Sequence, residues 1–529
     1  MILLSLSVVI IVFTYLQLKY ISNKYYWNNQ GIPFNSNGKY LGPMLEFLFT
    51  NKSGFQIIGD VYKTYPDSPA VGLGSLFGRS LLVTDLTNIQ YVLATDFSSF
   101  NHRGIQPNNG DLLADNIMFN NGNRWKLMRQ HMSPLFTSKK LRSMFYIVNK
   151  SAKDFVDYLK NNPNVVRGNT YDTITSFSNA AIGGAVFGVG TESIFESPFL
   201  KMTQKAMNFT TKQNVTMALG NASPKISKIL RFKLFKEHED FFIGAVKNII
   251  QARKWNNFQR HDFADLCVSL QQYDVLKDVE TGLEVKPTDE FLAAQAFFFF
   301  LAGGETSTST FFVTLTELGR NPKALAKVHK EIDRTFEKHG HITYENLSEI
   351  KYLDIAIKEA MRLYPVLGFL SRQCVQDTVL PVGNIKIEKG TNIFIPVYQI
   401  HHDAKYYSDP DEYKPERFLN ENKQNLNDAA FLGFGGGNRI CMGKRYAKLQ
   451  VKSGLVHLLR HYSVRTRVNG DSIKYKRKLI QVRMGNVDIE FIIDNYVHMS
   501  TNPHLASVVD CGLNLLSLMR RRPVPSSGT

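Results

Sequence analysis

The sequence predicts a mainly α-helical fold with smaller β-sheets (α+β), built as one large domain over residues 44–493 behind an N-terminal membrane anchor. Three observations carry that expectation. Helical patterning dominates the middle of the chain, strand-like runs are few and short, and no Pro/Gly/Ser-rich linker, low-complexity tract or repeat of about 20–50 residues divides it. With 43% hydrophobic and 21% charged residues, the composition excludes an intrinsically disordered chain. The 529 residues carry 63 Lys+Arg against 46 Asp+Glu, a formal net charge of +17. That excess is scattered in small clusters at Lys139-Lys140, Lys444-Arg445, Lys476 to Lys478 and Arg520 to Arg522. No nucleic-acid-binding motif accompanies them, so the expected readings are solvated faces, or a docking surface for an acidic partner or an anionic membrane.

The anchor is assigned to residues 1–18. Met1 to Leu18 carries no charged side chain, and as a helix it would reach about 27 Å, just short of the roughly 30 Å hydrocarbon core. No basic region precedes it and no small-residue cleavage site follows, which argues against a cleaved signal peptide. Lys19, Lys24 and Lys39 come before the first acid, Glu46, so the positive-inside rule places the remainder on the cytosolic side. Residues 19–43 read as a linker. The strand-like runs are Ser80 to Thr84 and Asn392 to Pro396. The longest helix is expected from an N-cap at Thr288, with Asp289 and Glu290 in its first turn, to Leu318, where Gly319 and Pro322 stop it. Its apolar middle should lie buried through the centre of the domain. Residues 494–529 form an extension, expected to be loosely packed or disordered.

Three motifs carry chemistry. In the long helix, Ala302-Gly303-Gly304-Glu305-Thr306-Ser307 sets two glycines, each costing about 1 kcal/mol in a helix interior, beside an acid and hydroxyls. Either a ligand approaches the backbone there while Glu305 and Thr306 pass protons, or the helix is kinked with its hydroxyls bonded back to the chain. The second motif is Phe434 to Gly443, three glycines leading to Cys441, with a helical pattern from Lys444 through Leu459. The four cysteines, Cys267, Cys374, Cys441 and Cys511, form no paired spacing, so a cysteine with a chemical role acts alone. Cys441, just ahead of a helix start, is either a thiolate suited to bind iron or an inert buried cysteine in a glycine turn. The third is Glu359 with Arg362, three residues apart on a helix from Leu353 to Leu363, together with Arg417 in Pro415-Glu416-Arg417-Phe418. A carboxylate shared by two arginines would staple distant segments together.

In this order, the motifs resemble the cytochromes P-450, specifically the membrane-anchored microsomal monooxygenases of animals. The likeness runs from the anchor to about Ile493, and includes Trp125 to Arg129 as W-x-x-x-R. Phe100 to Gly104, Ser133 to Phe136 and His401-His402-Asp403 look like the insect detoxification branch. The resemblance implies haem b as cofactor, with Cys441 as the axial iron ligand. It implies Phe434 packed over the sulfur, Gly443 in the ligand loop, and Trp125, Arg129, Arg372 and Arg439 holding the haem propionates. Thr306 and Glu305 would deliver protons, Ala302 and Gly303 would leave room for oxygen and substrate, and Glu359, Arg362 and Arg417 would form a structural triad. It also implies NADPH as electron source through an NADPH-cytochrome reductase, cytochrome b5 as a further partner, a lipophilic substrate, and an endoplasmic reticulum location. A docking face would include Lys126, Lys139, Lys444 and Arg445. Substrate contacts are expected near Gly104 to Phe119, Phe199 to Leu219 and Leu367 to Leu370. Asn438 departs from the family, where proline is commoner, which puts the stiffness of the ligand loop in doubt. Two other functions fit the same residues: a haem-thiolate isomerase or dehydratase, and a membrane-tethered haem or ligand binder without turnover.

Overall fold

A computed structural model describes residues 2–36, 42–75, 78–104, 110–163, 169–188, 233–256, 259–425 and 427–493, with isolated positions between 202 and 216. The extension at 494–529 and most of Phe199 to Leu219 lie outside the described residues. The elements that position the site are α1 (Ile2–Asn28), α2 (Gly54–Thr64), β1 (Ala70–Leu73), β2 (Ser80–Val83), α3 (Gly122–Met132), α4 (Ser138–Asn161), α5 (Thr170–Phe187), α6 (Glu239–Asn256), α7 (Asp289–Arg320), α8 (Pro322–His339), α9 (Lys351–Leu363), β3 (Leu370–Gln373), β4 (Asn392–Ile395), α10 (Lys444–Leu459), β5 (Tyr462–Val468) and β6 (Val487–Ile493). The fold is α+β, with helix predominant and the sheets small.

Helix α7 is the axis of the domain. Thr288 caps it as the sequence predicts, its hydroxyl accepting from the Phe291 amide at 3.2 Å. Phe297, Phe300, Phe311 and Leu315 are fully enclosed. The helix runs to Arg320, two residues past the expected end. Gly319 does not stop it: a Cβ there would lie 2.6 Å from Thr466 Oγ1, so the glycine serves the close approach of β5 instead. The break comes at Asn321, and Pro322 opens α8, where its missing N–H costs nothing. On its other flanks α7 packs on α5, through Phe187 against Phe300, and on α10, where a Cβ at Gly454 would come within 2.6 Å of Phe177 and Phe311.

The largest sheet has the order β1-β2-β4-β3. Its central pair is parallel, Ser80 opposite Asn392, and both outer pairs are antiparallel. β5 and β6 form an antiparallel hairpin, tied to α7 by Thr466 Oγ1 donating to the Thr316 carbonyl at 2.6 Å.

Helix α1 changes character along its length. Ile10, Ile11, Val12, Phe13 and Leu18 are exposed, up to 66% at Ile11. From Tyr20 onward it docks on the domain: Tyr20 meets Phe34 edge-on, Asn23 donates to the Ser75 carbonyl at 3.1 Å, and Trp27 is fully buried. The segment expected as linker therefore begins as docked helix. Among the described residues no helix is long and apolar enough to cross a membrane, so the fold does not confirm the span expected at 1–18. The side chains of residues 2–6, 8 and 9 lie outside the described ones.

The shared carboxylate is real. Glu359 and Arg362 have no solvent exposure. Arg362 Nε and Nη2 each donate to Glu359 at 2.9 Å, and Arg417 Nε donates to Glu359 Oε1 at 2.9 Å. The remaining guanidinium hydrogens reach the carbonyls of His401, Pro410, Glu412 and Ser408. His401 continues the chain of contacts. Its Nδ1 lies 3.0 Å from the Arg362 carbonyl, and its Nε2 accepts from the Leu432 amide at 2.9 Å. The staple thereby reaches the loop that leads to Cys441.

Candidate functional site

The Cys441 loop is shaped by backbone rather than by side chains. The Cys441 amide donates to the Phe434 carbonyl at 2.9 Å, and Ile440 donates to Gly437 at 3.0 Å. Gly435 and Gly437 sit at φ +74° and +63°, a region that favours glycine. At Gly437 an added Cβ would also lie 1.7 Å from the Leu93 carbonyl oxygen, so the glycine is doubly required. Gly437→Ala is expected to destabilise the protein by about 1–3 kcal/mol through strain and overpacking, seen as a lower urea midpoint; an unchanged midpoint would mean the loop moves away freely.

Cys267 and Cys374 are buried, and Cys441 is the exposed member of the three described cysteines. Burial of the sulfur within the loop still pushes the thiol up, opposed by the Gly443 amide and by the positive charges of Arg129, Arg103 and Lys444. Those opposing groups are what a bound thiolate needs. Arg129 Nη1 also donates to the Ile440 carbonyl at 3.0 Å, tying α3 to the loop. Lys444, the first residue of α10, holds its ammonium 5.6 Å from the Phe434 ring.

Four arginines gather beside the loop: Arg103, Arg129, Arg372 and Arg439. Arg372 is buried on β3, with Nη1 donating to the Ser371 carbonyl at 2.7 Å and Nε without a partner. Arg439 is buried too, its Nη2 donating to the Asn120 carbonyl at 2.9 Å and to Asn121 at 3.3 Å, while Nε and Nη1 are unpartnered. Its guanidinium lies 4.4 Å over the Trp125 ring. Arg103 turns one Nη onto the Met118 sulfur, a weak acceptor. Burial pulls Arg439 down to about 8, helped by repulsion from Arg103, Arg372 and Arg129. Burial likewise takes Arg372 to about 9 and Arg103 to about 10. Cations this close together, two of them buried, with unused donors and no carboxylate among their hydrogen-bond partners in the described residues, demand an anion. The two carboxylates of a haem fit these donors, and the Cys441 sulfur fits its iron. The residues present therefore suit the group the sequence implied.

Sequence reasoning selected Trp125, Arg129, Arg372 and Arg439, and the structure brings all four together. It missed Arg103, which stood in a quoted motif without a role. No spacing signal marks that residue; only the fold sets it against Cys441.

On α7 the hydroxyls turn back on the helix. Thr306 Oγ1 donates to the Ala302 carbonyl at 2.5 Å, and Thr308 and Thr310 bond four residues back in the same way. The side of Gly303 that a Cβ would occupy is taken by Ile182 of α5, 2.7 Å away. Glu305 accepts from the Tyr171 hydroxyl at 2.9 Å and faces Arg483 Nη1 at 3.5 Å. Neither partner was foreseen, because both are remote in sequence. No hydrogen bond among the described residues joins Ala302 to Thr306 with the Cys441 loop.

The comparisons agree with this geometry. The family model described as Cytochrome P450 matches residues 33–491. Probable cytochrome P450 6a13 of Drosophila melanogaster is 31% identical over 471 residues, which cover 86% of this chain and 92% of the relative. Cytochrome P450 6k1 of Blattella germanica is 31% identical over 458 residues, 83% of this chain and 87% of the relative. Cytochrome P450 6B5 of Papilio glaucus is 32% identical over 457 residues, 84% and 94% respectively. A motif set, a cysteine loop flanked by an uncompensated arginine cluster, and relatives matched along most of their length lead to one assignment: the chain belongs to the cytochrome P450 family of haem monooxygenases.

Proposed function

We propose that the protein inserts one oxygen atom from dioxygen into a lipophilic organic substrate, the other atom leaving as water, with electrons from NADPH through a membrane-bound reductase. The observation that carries this reading is the arginine cluster around the buried Arg372 and Arg439 beside Cys441, a site matched to a dianionic, iron-bearing ligand. When bound, a haem would supply the oxygen-activating chemistry, which a thiolate ligand favours. Cys441 would hold the iron, with the Gly443 amide and nearby cations stabilising the thiolate and Phe434 shielding the sulfur. Arg103, Arg129, Arg372, Arg439 and Trp125 would hold the carboxylate edge. Loss of one member should be graded rather than total: Arg439→Leu is expected to lower the haem-to-protein ratio of purified protein several-fold, and an undiminished ratio would argue against this role.

On the opposite side, Thr306 and Glu305 would move protons to the reacting oxygen and Ala302 would border the space for oxygen and substrate, while Gly303, expected to do the same, admits Ile182 of α5 instead. Thr306→Ala is expected to raise peroxide release relative to product by up to about a hundred-fold, the lower edge of what positioned proton donors contribute; unchanged coupling would sink the assignment. The exposed apolar half of α1 supports an anchor in the endoplasmic reticulum membrane with the domain on the cytosolic side. Lys139, Lys444 and Arg445 suit docking of the reductase, or of cytochrome b5. Lys126 is less available, being paired with Glu280 and 4.0 Å from Asp278.

The deciding experiment is loss of lipophilic test substrates in microsomes. Loss that needs both NADPH and reductase supports the proposal. Rearrangement without reductase would favour an isomerase or dehydratase, and binding spectra without turnover would favour a ligand binder.

A further inference from the structure

Asn121 stands at a helix cap and does not cap the helix. It is the residue before α3, a position where asparagine usually accepts from an amide of the first turn, a bond that contributes about 1 kcal/mol. Among the described residues its side chain makes no such bond. Its Oδ1 instead accepts from the Arg103 amide at 3.0 Å and from Arg439 Nη2 at 3.3 Å. Both partners belong to the arginine cluster. The preceding carbonyl, that of Asn120, accepts from the same Arg439 Nη2 at 2.9 Å. The Arg103 backbone is in turn laid against β3, which carries Arg372: the Gln373 amide donates to the His102 carbonyl at 2.9 Å, and Ser371 Oγ donates to the Arg103 carbonyl at 3.3 Å. One amide oxygen at the start of α3 thus ties together the segments that deliver three of the four arginines.

The loop that carries Asn121 is fastened to α7. Gln295, fully buried there, accepts from the Ile117 amide at 3.0 Å and donates to the Asp115 carbonyl at 2.9 Å. Asn116, also fully buried, turns the chain by accepting from the Met118 amide at 3.0 Å and donating to the Leu113 carbonyl at 2.7 Å. A buried amide with both ends used holds its partners still, because a shift leaves a desolvated polar group unpaired. Position matters to the cluster in two ways. A guanidinium recognises a carboxylate best through two parallel bonds in one plane, and like charges at close range push each other out of such an arrangement.

We propose that Asn121 is a positioning residue for carboxylate recognition: its side-chain oxygen holds Arg439 and the Arg103 segment in place for the two carboxylates of the bound group, in exchange for the helix cap it does not make. The role rests on the reading of the arginine cluster as the site of the haem carboxylates.

The test uses the full-length chain loaded either with haem or with haem dimethyl ester, whose carboxylates are blocked, and follows the transfer of each to excess apomyoglobin by absorbance. Asn121→Ser is the informative variant. Serine is as good a cap as asparagine, so α3 keeps its start, while the shorter side chain cannot reach both arginine partners. Haem should leave Asn121→Ser several-fold faster than wild type, and the dimethyl ester should leave at the wild-type rate. Asn121→Ala, measured independently, should show the same selectivity. Unchanged haem loss in both variants would overturn the role. Faster loss of haem and ester alike would also overturn it, because a purely structural residue loosens the pocket for both. The wild-type protein separates the two ideas. If it loses haem and dimethyl ester equally fast, the carboxylate reading of the cluster fails and the role of Asn121 falls with it. If the wild type discriminates and the two variants discriminate just as well, only the role of Asn121 fails.

Discussion

Cys441→Ala should yield a folded protein without a thiolate-type Soret band in the reduced carbon monoxide difference spectrum, and with substrate oxidation at background. The expectation of a retained fold comes from what holds the loop. Gly435 and Gly437 set its path, and the Cys441 amide bonds to the Phe434 carbonyl through backbone atoms that alanine keeps. The sulfur's contribution to packing is a single weak bond from the Gly443 amide, so its removal costs chemistry more than architecture. Far-ultraviolet circular dichroism and the urea midpoint should therefore stay near wild type while the band disappears. Persistence of the band would mean that another group ligates the iron. Neither Cys267 nor Cys374 is placed to substitute, since both are buried and burial raises their thiols.

Glu359→Gln should do the reverse, damaging the fold first and the chemistry through it. Two buried guanidiniums share this carboxylate, and the Lys414 amide donates to it at 3.0 Å. Removing one partner of a buried ion pair typically costs about 3–5 kcal/mol, because the charges left behind remain desolvated. Against a typical stability of about 5–15 kcal/mol, that is a large fraction. The expected result is a strongly lowered urea midpoint and poor haem retention, even though among the described residues Glu359 has no hydrogen bond to the Cys441 loop. The path runs through Arg362, His401 and the Leu432 amide. A midpoint within experimental error of wild type would show that the staple is dispensable.

How legible the molecule was depended on whether a feature was local. The Thr288 cap, the Lys444–Leu459 helix and the short strands were readable because capping groups and periodicity act within a few residues. The end of α7 was misread at Gly319, whose meaning lies in β5, far along the chain. The catalytic motifs were recognisable as strings, yet their geometry was not: a helical stretch rich in hydroxyls left open whether Thr306 faces a ligand or its own backbone, and the fold returns it to Ala302.

The sequence by itself determined the fold class, the family resemblance and the glycine turn that presents Cys441, because glycine turns, an isolated cysteine and an ordered set of motifs are written in consecutive residues. Only the tertiary structure decided that Arg103 joins Arg129, Arg372 and Arg439, that Glu359 is shared by Arg362 and Arg417, and that Tyr171 and Arg483 grip Glu305. The physical reason is common to all three. The energy of a charge depends on burial and on partners within a few ångströms, and the chain brings such partners together from segments tens to hundreds of residues apart.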